Sequence, residues 1–250
     1  MSKSTKAPLL QSTITKSPGE IVLMDLGILP CTGIGGWKYF ATCIDHHSKY
    51  TVLYVLKNKS DQFQAFKQYH MSMIAQKGTK ISRLQSIHSD NGGEYLSQSM
   101  AEYLQQHGIH HRTIVAGNPQ SNGIAERFNR TLMEVAQSIR LRSGLPNRFW
   151  PFAIRTAAYL LNRRPHSSLS MNLTPYEAWT ERKPDVTALK VFGCDVFLLI
   201  PEKDRNKLCP RARKAIFIGY ASNKKAYKLW DPSSSKVLYS RDVQFNEESL

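Results

Sequence analysis

The sequence predicts an α/β fold, a mixed five-stranded sheet with flanking helices, followed by a small β-barrel. Two observations carry this. Three runs rich in β-branched and aromatic residues lie close together, and helix-like and strand-like patterns then alternate along the chain. After Pro184 the pattern changes to five short apolar runs in about 60 residues, separated by turn formers.

Residues 1–17 are polar and basic, broken by Pro8, and read as a linker or tail. Glu20 to Leu26 is the first strand, Trp37 to Ile44 the second and Tyr50 to Leu56 the third, an antiparallel meander with a turn at Pro30 to Gly36. Ser60 is placed as the cap of a helix reaching Gln76, with Phe63, Phe66, Tyr69, Met73 and Ile74 at helical spacing and Gly78 beyond its end. Ile81 to His88 is a fourth strand, Gln98 to His107 a helix closed by Gly108, and Ile109 to Val115 a fifth strand. Gly117 to Gly123 reads as a loop, and Ile124 as the start of a long helix to about Arg142. A second helix runs from Pro146 or Arg148 to Asn162, and Thr174 with Pro175 caps a short one through Trp179. The late strands are Val191 to Ile200, Lys214 to Tyr220, Ala226 to Leu229, Lys236 to Tyr239 and Val243 to Phe245. The expected domains are therefore a linker at 1–17, a core at 18–183 and a β domain at 186–248.

The chain has 250 residues, and 41% are apolar, enough for a packed core. Its formal charge of +15 points to a polyanionic partner, nucleic acid before membrane. The charge is concentrated. Arg127 to Arg164 holds eight Arg and one acid, and Lys203 to Lys228 holds nine basic residues and one acid. The second window, with Lys203, Arg211, Arg213, Lys214, Lys224 and Lys225, is the best candidate for non-specific DNA contact, against the plainer reading of a solvated β face. No run of 18 apolar residues occurs, so no membrane partner is expected. The four cysteines lack framework spacing and read as reduced thiols of an intracellular protein. His107 and His111 have no accompanying C-x2-C, so no zinc is expected.

Three acids carry the chemistry. Asp90 follows the fourth strand in S-D-N-G-G-E-Y, and Glu126 lies in N-P-Q-S-N-G-I-A-E-R-F-N-R-T-L, with thirty-five residues between them. Asp25 closes the apolar run Ile21 to Met24, where a lone buried carboxylate is costly without a partner. Acids on rigid elements can hold divalent ions, and two such ions about 3.5–4 Å apart activate a nucleophile and stabilise a leaving oxygen in phosphodiester chemistry. Taken singly, Asp90 reads as well as a turn residue, and Glu126 as an ordinary first-turn Glu favoured by the helix dipole. Asn122 has two readings, a DNA contact or a helix cap. Arg130 could pair with Glu126 four residues earlier or contact phosphate, and Arg127 is a further DNA candidate.

The wording around these acids resembles the integrase of copia-type (Pseudoviridae) long-terminal-repeat retrotransposons, in the retroviral integrase superfamily. Besides the two segments above, the resemblance rests on W-K-Y-F-A-T-C-I-D-H-H-S at 37–48, A-A-Y-L-L-N-R-R-P at 157–165, T-P-Y-E-A-W at 174–179, L-K-V-F-G-C at 189–194 and Y-K-L-W-D-P at 227–232. It implies an RNase H-like core in which Asp25, Asp90 and Glu126 are catalytic and bind two Mg²⁺ or Mn²⁺ ions, followed by an SH3-like domain. The turn after Asp25 reads L-G-I-L-P where that family usually has x-C-G-P, and V-A-G-N-P-Q replaces the usual P-Y-x-P-Q.

The implied activity is 3′-end processing and strand transfer of element DNA into target DNA. The implied partners are double-stranded DNA and further copies of the chain. The implied location is the nucleus, reached through a cytoplasmic virus-like particle. The H-H-C-C zinc region that precedes the core in that family does not occur in these residues, and 3–17 resembles the linker after it. The expectation is a segment of a longer polyprotein product, or a gene derived from one. The alternatives are a domesticated or truncated integrase that binds DNA without integrating, and an RNase H-type nuclease.

Overall fold

The computed structural model describes residues 15–75, 83–90, 92, 95, 97–113, 119–199, 212–222 and 224–249. Strand β1, Ile21–Ile28, is the centre of the first sheet. β2 (Tyr39–Asp45) lies antiparallel beside it and β3 (Thr51–Leu56) antiparallel beside β2. β4 (Ser86–Ser89) pairs with the other side of β1 in parallel, and β5 (His110–Thr113) extends the parallel part, giving the order β3-β2-β1-β4-β5. Parallel neighbours need crossovers, and two helices supply them: α1 (Gln62–Ala75) before β4 and α2 (Gln98–His107) before β5. The Ser97 side chain caps α2 by accepting from the Met100 amide at 3.3 Å, and Gly108 ends it at φ 62°.

The two-residue period of β1 sends alternate side chains to opposite faces. Val22 and Met24 join Phe66, Tyr69, Met100 and Leu104 beneath α1 and α2. Leu23 joins Ile44 and Ala125 under α3, the helix Pro119–Arg142. Asp25 follows Leu23 on that second face. Gly27 comes next, and a Cβ there would stand 2.0 Å from the Phe40 ring, so only glycine fits.

The helix α4, Trp150–Leu161, packs on α3 after a 3₁₀ turn at Asn147–Phe149. Its last residue is followed by buried Asn162, whose amide accepts from the Thr51 N–H at 2.9 Å and donates to the Thr51 carbonyl at 2.8 Å, pinning the helix end to β3. The short helix α5, Pro175–Thr180, opens on a capping box between Thr174 and Glu177.

The second sheet is antiparallel throughout, with order β10-β6-β7-β8-β9. Its strands are β6 (Asp195–Leu199), β7 (Ala212–Tyr220), β8 (Tyr227–Asp231), β9 (Lys236–Ser240) and β10 (Val243–Asn246). One face closes over Cys194, Val196, Ala215, Phe217 and Leu229. The other face does not stand apart from the first unit. Phe192, Ile218 and Trp230 share a single apolar cluster with Phe149, Phe152, Ala153 and Ala157. Phe149 and Trp230 meet edge to face at 5.4 Å, and Tyr159 stacks on Tyr220 at 3.8 Å. At Gly219, φ is +130° and β7 bulges against β8, and a Cβ would meet the Thr156 hydroxyl at 2.7 Å. α4 therefore belongs to both units.

Several expected boundaries shift, among them β6, which begins at Asp195 rather than Val191 after a turn with Gly193 at φ 92°. Arg83–Gln85 is not strand, because Gln85 and Ser86 both donate to the Glu20 carbonyl and the ladder begins only after that shared acceptor. Residues 81–82 and Gly78 lie outside the described residues. Asn58, not Ser60, opens the turn leading into α1, its N–H donating to Asp61 at 2.9 Å. α3 starts at Pro119, five residues before Ile124. Proline suits a first helical position, and buried Gly123 is held in helix by packing that overrides its propensity.

Candidate active site

The acids assemble around β1. In the middle of that strand, paired in register with Thr42, Asp25 points toward α3. Its Oδ1 accepts from the Leu26 N–H at 2.8 Å, and its Oδ2 accepts from the Asn129 side-chain amide at 2.8 Å. Thr42 in turn donates to Asn129 Oδ1 at 3.3 Å, which fixes the orientation of that amide. Burial is the largest influence on the Asp25 carboxyl and pushes it up to about 6. The Leu26 amide opposes this, the negative charge of Asp90 adds to it, Asn129 opposes it, and Glu126 adds to it again. Asp25 thus lies within electrostatic reach of both other acids.

Asp90 is exposed just past the C-terminal end of β4, where ligands of such sheets collect. Its Oδ1 accepts from the Gly92 N–H at 3.1 Å, a local contact of the Asx type. Before it, fully buried Ser89 bonds His111 at 2.8 Å and anchors the strand end. Glu126 is exposed on α3, one turn before Asn129, so the two face the same side. Because α3 starts at Pro119, Glu126 is its eighth residue, beyond the first turn where the helix dipole acts. Among the described residues no three carboxylate, imidazole or thiol groups are gathered closely enough to ligate one ion. The three acids are coupled through Asp25 rather than clustered.

Sequence reasoning overlooked Asn129 and Thr42. The available signal was Asn129 standing three residues after Glu126. Buried Asp45, at the end of β2, plays a purely structural part, accepting from Gly19 and from both the amide and hydroxyl of Ser48.

The basic candidates separate. Arg127 lines a cavity of about 390 Å³ with Lys49, Ile124, Phe128, Arg164 and His166. Arg130 is exposed and makes no ion pair with Glu126. Asn122 lies inside α3 rather than at a loop junction. Lys203 and Arg211 lie outside the described residues. Arg213 pairs with buried Asp231 and Lys214 with Asp195, so both carry an acid partner within the second sheet. Lys224 and Lys225 are exposed, and Lys224 stands 4.3 Å from the Tyr239 ring.

Known proteins match this arrangement at three levels. The integrase core domain family matches residues 15–119, and the retroviral polymerase SH3-like domain family matches 194–250. The retrovirus-related Pol polyprotein from transposon TNT 1-94 of Nicotiana tabacum is 41% identical over 94% of this chain. The corresponding polyprotein from transposon RE2 of Arabidopsis thaliana is 34% identical over 99% of it. The chain belongs to the retroviral integrase superfamily, in its copia-type retrotransposon branch. It covers 18% and 17% of those two polyproteins, about a fifth of their length. Asp25 and Asp90 fall within the core-domain match, whereas Glu126 falls just past its end. An integrase chain in the simian T-cell lymphotropic virus intasome, solved with a PP2A regulatory subunit, has the same fold, with a TM-score of 0.53, 16% identity, and coverage of 92% of this chain and 79% of that one.

Proposed function

We propose that this chain is the catalytic core and C-terminal domain of a retrotransposon integrase that processes the 3′ ends of element DNA and joins them to target DNA in the nucleus. The observation that carries the reading is Asp25, a carboxyl set into a packed strand facing two further acids, and held at both oxygens. Burying such a carboxyl costs stability, and a bound cation would offset that cost.

Hard carboxylate oxygens suit Mg²⁺ or Mn²⁺, and Asp25, Asp90 and Glu126 are the donors that would hold two such ions. Bound there, they would supply an activated oxygen nucleophile and stabilise the departing 3′ oxygen. The side chains themselves do three things. Asn129 and the Leu26 amide fix which Asp25 lone pairs remain open. Asp90 and Glu126 bring charge from two separate elements, β4's end and α3. Asp25 holds a proton below about pH 6 and releases it above, which sets the lower edge of the working range. The proposed partners are double-stranded DNA and further copies of the chain.

The test is strand transfer on labelled duplex DNA with Mg²⁺ and then Mn²⁺, with disintegration of a branched substrate as a second reaction. Joined products that vanish in Asp90→Asn while its fold is retained are the expected result. Products that persist undiminished in that variant would remove Asp90 from the chemistry. Metal-independent DNA binding with neither reaction in the wild type would favour the binding-only alternative.

A further inference from the structure

The cavity of about 390 Å³ that Arg127 lines lies on the flank of α3 turned away from the acids. Ile124, Arg127, Phe128 and Thr131 recur at helical spacing and form one stripe of that helix. Glu126 and Asn129 point to the opposite flank, half a turn round. The walls come from three elements. Besides α3, the turn between β2 and β3 gives Lys49, and the chain after α4 gives Arg164 and His166. Leu161 and Pro175, both buried, complete an apolar floor with Ile124 and Phe128.

Two features make this more than a surface hollow. The charged part of its lining is wholly basic, and among the described residues no carboxylate borders it. Arg127 and Arg164 form no ion pair among those residues. The charge of Asp45 reaches Lys49, but both Asp45 oxygens are taken up by Gly19 and Ser48. The donors are also held in place. Lys49, at φ 62°, donates to the His46 carbonyl at 2.5 Å and keeps further ammonium hydrogens for a ligand. His166 Nδ1 accepts from the Ser168 N–H at 3.3 Å and from its hydroxyl at 2.9 Å, so the neutral ring carries its hydrogen on Nε2. Burial, then Lys49, then Arg164 hold that ring below the ordinary histidine range. A ligand that answers both rim and floor brings one anionic group on an apolar body. The volume is that of a small-molecule site, toward the low end of the about 300–1,000 Å³ such pockets span.

We propose that this cavity binds a small organic carboxylate, its anionic end between Lys49, Arg164 and His166 and its apolar body on Ile124, Phe128 and Leu161. The site is independent of the three acids, of divalent metal and of DNA, and it stands without the integrase reading. A bound molecule ties α3 to the end of α4 and to the turn between β2 and β3.

The experiment titrates the full chain with naphthoate in a calorimeter, in chelator, with naphthol as the uncharged control and acetate as the control without a body. Saturable binding of naphthoate at about millimolar affinity, with both controls about tenfold weaker, is the expected result. Arg164→Gln and Lys49→Met are each expected to weaken naphthoate about tenfold, the loss of one charged hydrogen bond. Arg164 is exposed, so its variant carries the test if Lys49→Met does not fold. Proton NMR supplies a second readout. Naphthoate is expected to raise the pKa of one histidine, the one missing in His166→Gln, because the bound anion offsets the charges of Lys49, Arg164 and Arg127 around that ring. No saturable binding up to about 5 mM, equal binding of naphthol or acetate, or wild-type affinity in Arg164→Gln would overturn the proposal. Asp90→Asn must bind naphthoate as the wild type does, so this site and the catalytic reading fail separately.

Discussion

Replacing Asp25 by Asn should make the metal-free protein more stable at neutral pH, although it removes a group central to the proposed activity. The Asp25 carboxyl moves from an ordinary 3.8 to about 6, chiefly through burial, with Asp90 and Glu126 adding to it. Its folded-state pKa lies above the unfolded one, the reverse of a salt-bridged acid. Between about pH 4 and 6 the folded chain holds a proton that the unfolded chain has lost, so stability falls as pH rises through that window. Two pH units correspond to roughly 3 kcal/mol. Part of this is screened by solvent at the open edge of the site, and the new amide must turn Asn129 to regain a partner at Oδ2. A net gain of about 1 kcal/mol remains, or roughly 2–4 °C in a chain of this size. Thermal unfolding in chelator at pH 7.5 and pH 4.0 measures it. Asp25→Asn is expected to melt higher at pH 7.5, with the gap closing at pH 4.0, and added Mg²⁺ should raise the wild type but not the variant. A variant that melts lower than wild type at pH 7.5 without metal would refute the reasoning, since Asp25 would then be an ordinary stabilising acid.

Two further outcomes follow from packing. Asn162→Ala strips both bonds from the buried Thr51 backbone, at 2.9 and 2.8 Å, and should cost about 2–4 kcal/mol in denaturant unfolding, with β3 the first strand to lose amide protection. Gly219→Ala meets both a φ of +130° and a 2.7 Å approach to Thr156, and should cost about 1–3 kcal/mol. Adding Thr156→Ala should recover only the part due to the close approach, which a double-mutant cycle reads directly.

Much of this was legible in the chain because local rules and tertiary structure agree. The helix closed by Gly108, the Thr174 and Pro175 cap and the five late strands follow from turn chemistry and period alone. The start of α3 did not, since Asn122 and Gly123 have loop preferences and yet lie within the helix. Asp25, Asp90 and Glu126 stood out because acids at strand ends and in apolar runs are chemically conspicuous. Asn129 and Thr42 did not, because an amide three residues from a glutamate has no signature until β1 and α3 are docked. Lys228 and Tyr239 were hidden in the same way. Only strand pairing sets them opposite each other, and only α4 brings Phe152 to the Lys228 ammonium.

The aromatic contacts of α4 with β7 and β8 have a metric consequence. Tyr159 on Tyr220 and Phe149 on Trp230 leave no hinge between the acid-bearing sheet and the second one. A module on a loose tether samples a volume and adapts to whatever lies within reach. Here the interval from Asp25 to the second sheet is fixed once, when the chain folds, and works as a ruler. Any partner that touches both sheets must span the same distance each time.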